Sequence, residues 1–440
     1  MAILTRRRLQ ALLDALGERH LTSEKRKDLI RRLDDDKRPE QALGAEYELI
    51  VCWLLSQCSN FELEPYWCAG SSRPDAYSES IFIGAEGELS EITALDNSRT
   101  KQESEMRAAS QRLVEAANRI QRGAGHFLYF TYLEERENVE GRSVRIRQVP
   151  RALKITPYIE YALKELILGQ QPNEIRLKEG RLDVVIERRS RRQHQLYNFH
   201  SSVPPEAKSL TDNPIYDALK RKREQLICAS NQYKRVIWLC DAGSDMLRAC
   251  GTARFGQRAI TAEEIIQKFL RMYPDIHLVL VLAPQHSNSM LGTREKNWWK
   301  LSHFLNDGSD AILNLDWLSK AVAMLPTPRF AGYQARQLIQ QRAFSPTAKG
   351  WYSGVRYRSV NNVGSVEISS RLIIDLLARR ITPKQFSYFM GDREGENLFA
   401  RMLESGLTFS DVTFRAGGED EDDDRIILHY AKDPSASRFE

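Results

Sequence analysis

Apolar residues along this chain change period repeatedly, from the three-to-four spacing of helices to the alternation and short solid runs of strands. Leu9, Leu12, Leu13 and Leu16 recur at helical spacing, and so do Leu29, Ile30 and Leu33, with Thr22-Ser23-Glu24 as a helix start between them. Residues 1–40 therefore predict a helical hairpin with a basic outer face, packed on the main body. Leu49, Ile50, Trp53 and Leu54 form the stripe of a further helix over 44–58. Strands are expected over 61–67, 80–84 and 89–95, then a long polar helix over 100–122 and a strand over 126–133.

The middle of the chain keeps this texture. Strands are expected over 144–149 and 181–188, with helices over 159–168 and 214–227. Val236-Ile237-Trp238-Leu239-Cys240 is a solid apolar run of the kind buried on both faces of a sheet. A helix over 262–273, capped by Thr261, and a second buried strand over 276–282 complete a parallel strand–helix–strand crossover. Beyond residue 285 short helices alternate with Gly- and Arg-rich connectors, and an acidic loop, 417–424, precedes a last strand over 425–430. The pattern predicts an α/β fold in three parts: a helical segment over 1–40, a mixed-sheet α/β domain over 41–285, and an α+β accessory domain over 286–440.

Composition narrows the class. The 440 residues are 42% hydrophobic and 28% charged, as in an ordinary globular protein. No run approaches the eighteen apolar residues of a membrane helix, and the first residues lack the apolar core of a signal peptide, so a cytoplasmic protein is expected. The net charge of +5 is unevenly spread. Arg6, Arg7 and Arg8, the arginines of 188–192, and Lys220-Arg221-Lys222-Arg223 are basic, against the acidic run 419–424. The six cysteines show no zinc spacing, and Cys52 and Cys240 read as buried thiols.

Chemistry concentrates at Arg73-Pro74-Asp75 and Glu91-Ile92-Thr93. Two carboxylates on neighbouring strands can converge on one Mg²⁺ (or Mn²⁺), a hard ion that takes oxygen ligands, with the Ile92 carbonyl as a third oxygen. Glu48, on the preceding helix, is placed to hold a metal-bound water or a second ion.

With Gly44-Ala45-Glu46-Tyr47-Glu48 opening a helix, and with the helix from Asn213-Pro214 leading into the strand over 236–240, these motifs resemble the PD-(D/E)XK restriction-endonuclease-like superfamily, in a subgroup with E-x-T for E-x-K. The resemblance covers about half the chain. It implies a metal-dependent DNA endonuclease, a restriction or anti-phage effector, with Glu48, Asp75 and Glu91 in the site. It also implies a lysine that steers the attacking water, and Thr93 stands in its place. Lys101 reaching back from the next helix, Lys220 or Lys222 from the late helix, or loss of chemistry are all open. A silent nuclease-fold module that binds nucleic acid or scaffolds a defence complex is the alternative, with the C-terminal domain as its protein-binding element. Arg73, Lys220 and Lys222 are the candidate DNA contacts.

Lesser candidates are Asp241 and Asp245, read first as a turn closing a buried strand, and Trp298-Trp299, read as an interface anchor. His194 and His200 read as surface residues. No phosphate loop or dinucleotide fingerprint occurs, which removes the case for an ATPase or dehydrogenase.

Overall fold

A computed structural model of the chain describes residues 3–17, 19–33, 39–58, 60–68, 73–97, 102–139, 141–169, 173–193, 198–202, 207–227, 232–251, 260–287, 296–328, 355–360, 363–390, 397–419, 424–433 and 435. The leucine stripes of α1 (Arg6–Gly17) and α2 (Ser23–Leu33) are fully buried against α3 (Pro39–Leu55). Each such side chain contributes roughly 1.5–3 kcal/mol, so the hairpin is part of the core and not a separate segment.

After α3 the chain forms β1 (Phe61–Leu63), β2 (Ala76–Ser78), β3 (Phe82–Ile83) and β4 (Glu88–Leu95). The expected strand over 61–67 is cut to three residues because 66–67 turn back, and β2 is a strand the periodicity missed. The buried Glu88 carboxylate accepts from Ser78 Oγ at 2.6 Å and from the Ser80 and Ile81 amides at 3.0 and 3.1 Å. That one side chain pins the turn between β2 and β4, and with it the register Ala76 opposite Ser90.

Residues 103–201 leave this sheet. α4 (Glu103–Ile120), β5 (Leu128–Tyr132), β6 (Glu134–Val139), β7 (Arg142–Arg147), α5 (Pro157–Leu168), β8 (Glu174–Glu179), β9 (Leu182–Arg188) and β10 (Phe199–Ser201) follow in turn. Four of the strands make their own sheet, in the order β10-β5-β9-β8, over a hydrophobic cluster of their own. The expected single domain over 41–285 thus contains an inserted layer between β4 and the next core helix.

The chain returns with α6 (Pro214–Leu226), β11 (Lys234–Asp241), α7 (Asp245–Ala249), α8 (Ala262–Met272), β12 (Leu278–Ser287), β13 (Lys296–Leu305), β14 (Ile312–Leu313) and α9 (Leu315–Met324). The central sheet runs β1-β2-β4-β11-β12-β13. β4, β11 and β12 are mutually parallel and the outer pairings are antiparallel. The β11–α8–β12 crossover is as expected, with a Thr261/Glu264 capping box opening α8. Val236, Trp238 and Cys240 face α1–α3 and α9, while Ile237 and Leu239 face α6–α8. The expected boundary after residue 285 falls inside the sheet, since β13 pairs with β12 over ten residues. Trp299 is core, 6.2 Å from the Tyr47 ring and bonded through its indole N–H to Pro326 O at 2.7 Å.

The last part holds β15 (Arg356–Val360), β16 (Val363–Ser369), α10 (Ser370–Leu377), α11 (Pro383–Phe389), α12 (Leu398–Glu404), β17 (Leu407–Arg415) and β18 (Arg425–Lys432). Its antiparallel sheet, β15-β16-β18-β17, closes a small core with these helices. The whole is mixed α/β, and no helix among the described residues is long and apolar enough to cross a membrane.

Candidate functional site

Two structural devices bring Asp75 and Glu91 together. The β2–β4 ladder ends at the pair Ala76 and Ser90, and one residue further Asp75 turns its side chain to the neighbouring strand, accepting from the Ile92 amide at 2.7 Å. Glu91, on the face of β4 toward α6, is fully buried. N–H and C=O of one strand residue face the same edge, so the Ile92 carbonyl turns toward Asp75 as its amide does.

The third member comes from α6. Asn213 caps this helix by accepting from Tyr216 N at 2.9 Å, and Ile215, Leu219 and Leu226 bury its inner stripe. Lys222 falls on that same stripe and reaches inward. Its ammonium lies 2.5 Å from Glu91 Oε2 and 3.3 Å from Asp75 Oδ2, spanning 131 and 147 residues of sequence. A lysine at an apolar-stripe position was the signal in the sequence that separates it from Lys220, which points to solvent on the same helix.

The electrostatics follow from burial. Desolvation, then the Asp75 carboxylate, pushes Glu91 up to about 8 against the pull of Lys222. Burial alone would lower Lys222, but the two carboxylates outweigh it and hold the ammonium above its usual range. One oxygen of Glu91, Oε1, is buried with no hydrogen-bond partner, a property it shares with Glu88 Oε2, Asp241 Oδ2 and Glu367 Oε2. An unanswered carboxylate oxygen in the interior is costly, and structures keep few of them without a reason. Thr93 sits beside this group on the same strand, nearly buried, and brings no charge.

The other expected site residues are placed differently. Glu48 is taken by Arg32 of α2 in a two-pronged pair at 2.5 and 2.8 Å. Among the described residues no three His, Cys, Asp or Glu side chains converge as a metal-holding group, so Glu48 does not complete a carboxylate triad with Asp75 and Glu91. Lys101 and His194 lie outside the described residues. Arg73 and His200 are exposed, and Arg73 stands two residues from Asp75. Two of the basic clusters are partly absorbed by the fold. Arg189 lies 3.6 Å over the Tyr129 ring, and Arg223 binds Asp275 and covers Tyr273.

Asp241, at the end of β11, is fully buried, as are Glu88 and Glu91 on β4. Its Oδ1 accepts from the Gly243 and Ser244 amides at 2.8 and 2.5 Å, and Oδ2 faces Arg248 Nε at 3.4 Å. This is the strand-closing turn expected for it. Burial raises it to about 6.

No protein-family model, curated protein or solved structure matches this chain.

Proposed function

We infer that the chain is a metal-dependent phosphodiesterase of the nuclease class, acting on DNA, with Lys222 in the role that Thr93 vacates. One observation carries this: an ammonium from a distant helix reaches both carboxylates of the expected pair. The order of parts supports it as well. A helix with Glu46 and Glu48, a strand pair with Asp75 just before its first strand and Glu91 on its second, and a late helix followed by a strand follow one another as the resemblance to the restriction-endonuclease-like superfamily implies.

Asp75, Glu91 and the Ile92 carbonyl are the groups that would hold Mg²⁺ or Mn²⁺, and the partnerless Glu91 Oε1 fits such an ion. A divalent ion there supplies Lewis acidity toward phosphate and a reactive water at neutral pH. Lys222 then turns from the carboxylates to the charge that develops on the phosphate. Arg73 and Lys220, both exposed, are suited to the backbone on either side. The biological role in keeping with this chemistry is restriction or anti-phage defence.

The test is plasmid nicking with Mg²⁺ or Mn²⁺, beside Asp75→Ala. Nicking is expected from the parent chain alone, and cleavage that survives the substitution refutes the assignment. The second reading, a silent module that binds nucleic acid or holds a complex, draws on the Arg32–Glu48 pair and on Lys222 seated where the ion would go. Calorimetric Mn²⁺ binding that disappears in Glu91→Gln counts against it.

A further inference from the structure

The first helix and the last hairpin hold each other, although more than 400 residues separate them. Thr5 caps α1, its hydroxyl accepting from Arg8 N at 3.2 Å and donating to the Glu419 carbonyl at 2.8 Å. Arg7 pairs with Asp424 at 2.5 Å and donates to the carbonyls of Gly417 and Gly418. Arg8 pairs with Glu419 at 2.5 Å. Asp424 also accepts from Gly417 N at 2.8 Å, which folds the base of the acidic loop around the Arg7 guanidinium. A guanidinium that takes one carboxylate and two carbonyls is specifically seated, not merely attracted.

The setting makes this contact more than a surface ion pair. No apolar cluster among the described residues joins the C-terminal sheet to the central one, since their cores are separate. The loop carries six consecutive acidic residues, 419–424, and the helix end it meets carries three arginines in a row. That end is also the positive pole of α1, a place that favours anions. Arg7 and Arg8 each keep about a third of their side chains accessible, so competing anions and salt can reach them.

We propose that Arg7 and Arg8 form a phosphate-contacting surface for the DNA backbone, and that Gly417, Gly418, Glu419 and Asp424 are its resident occupants. The C-terminal unit is thereby docked by charge, and nucleic acid and the loop exclude one another. The competitor rests on the nuclease reading above, but the surface does not depend on Asp75 or Glu91 and is read without metal.

The experiment measures binding of a fluorescein-labelled 30-base-pair duplex by the full chain in EDTA, across a salt series. Glu419→Gln with Asp424→Asn removes the two carboxylates that Arg7 and Arg8 meet, and each added phosphate contact steepens the slope of log K against log salt by about 0.9. The slope is expected to steepen by about 0.9–1.8, with tighter binding at low salt and faster amide exchange at the N-terminal end of α1. Adding Arg7→Gln and Arg8→Gln must abolish the gain. A gain that persists without the arginines, an unchanged slope in the loop variant, or no duplex binding by either protein overturns the proposal. Plasmid nicking by the loop variant is read separately, so loss of cleavage with intact duplex competition counts against the nuclease reading alone.

Discussion

Two buried carboxylates on neighbouring parallel strands have opposite fates in this molecule. Asp241 gives one oxygen to two backbone amides a few residues on and turns the other to Arg248. Glu91 gives one oxygen to a lysine brought from 131 residues away, and its other oxygen, like Asp241 Oδ2, accepts no hydrogen bond. Both are pushed up by burial. The difference lies in what answers the charge. Local amides make Asp241 a hinge of the fold, holding the turn into α7. A single ammonium from a distant helix answers Glu91, so its partner can be exchanged without undoing a turn.

The sharpest way to break this comparison is to remove the carboxylate of Asp241. Asp241→Ala strands the Gly243 and Ser244 amides, while Arg248 keeps Asp245 at 3.0 Å, so a loss of about 3 kcal/mol in urea unfolding is expected. Activity per folded molecule should stay at the parent level, and a selective loss of activity without a stability change would reverse the roles assigned to the two residues.

Lys222→Ala should do the opposite. Lys222 is what pulls Glu91 down against burial and Asp75, so without it the Glu91 carboxyl is held protonated at neutral pH and the fold is spared most of the cost of an unpaired charge. Turnover should fall about 10²–10³-fold, the usual effect of losing one group aimed at transition-state charge. Unfolding measured beside the nicking assay separates the two outcomes, and a large stability loss with unchanged turnover would make Lys222 a structural partner only.

Dependence on pH extends the comparison. A carboxyl raised in the fold binds its proton more tightly there than in the unfolded chain, so its contribution to stability is complete at low pH and lost as pH rises through the folded value. For Asp241 that window runs from its ordinary 3.8 through about 6. The parent chain should lose about 2–3 kcal/mol relative to Asp241→Asn across it, at 1.36 kcal/mol per unit. Glu91→Gln should show the same sign over a higher window, from 4.5 through about 8. Unfolding curves at four or five pH values decide this, and a gap that widens in the other direction would mean that the charged forms are the ones the fold prefers.

The smallest expected effect is at Arg32. Its pair with Glu48 is partly exposed, and Arg32→Ala should cost about 1 kcal/mol of stability or less. It should also tighten Mn²⁺ binding if Glu48, once released, can swing toward Asp75. Calorimetry with no change in affinity would leave Glu48 as a tether for α2.

Much of the frame was legible because its signals are local. The stripe of α3, the double-faced run of β11 and the Thr261 cap of α8 are written in neighbouring residues, and each appears where the pattern puts it. The carboxylate pair was legible from Pro74-Asp75 and from Glu91 within the expected strand over 89–95. β2 escaped because three residues are too few for a period. The inserted layer over 103–201 escaped because its strands look like any others, and nothing local says which sheet a strand will join.

The sequence alone pointed to an α/β protein with Asp75 and Glu91 as its candidate carboxylate pair and with no lysine at Thr93. Only the tertiary structure decided that Lys222, and not Lys220, meets them, that Arg32 takes Glu48, and that Arg7 and Arg8 meet the acidic loop. Side-chain period fixes which way a residue points from its own element. Which distant charge it then finds depends on how elements pack, and a buried carboxylate accepts whatever cation that packing delivers.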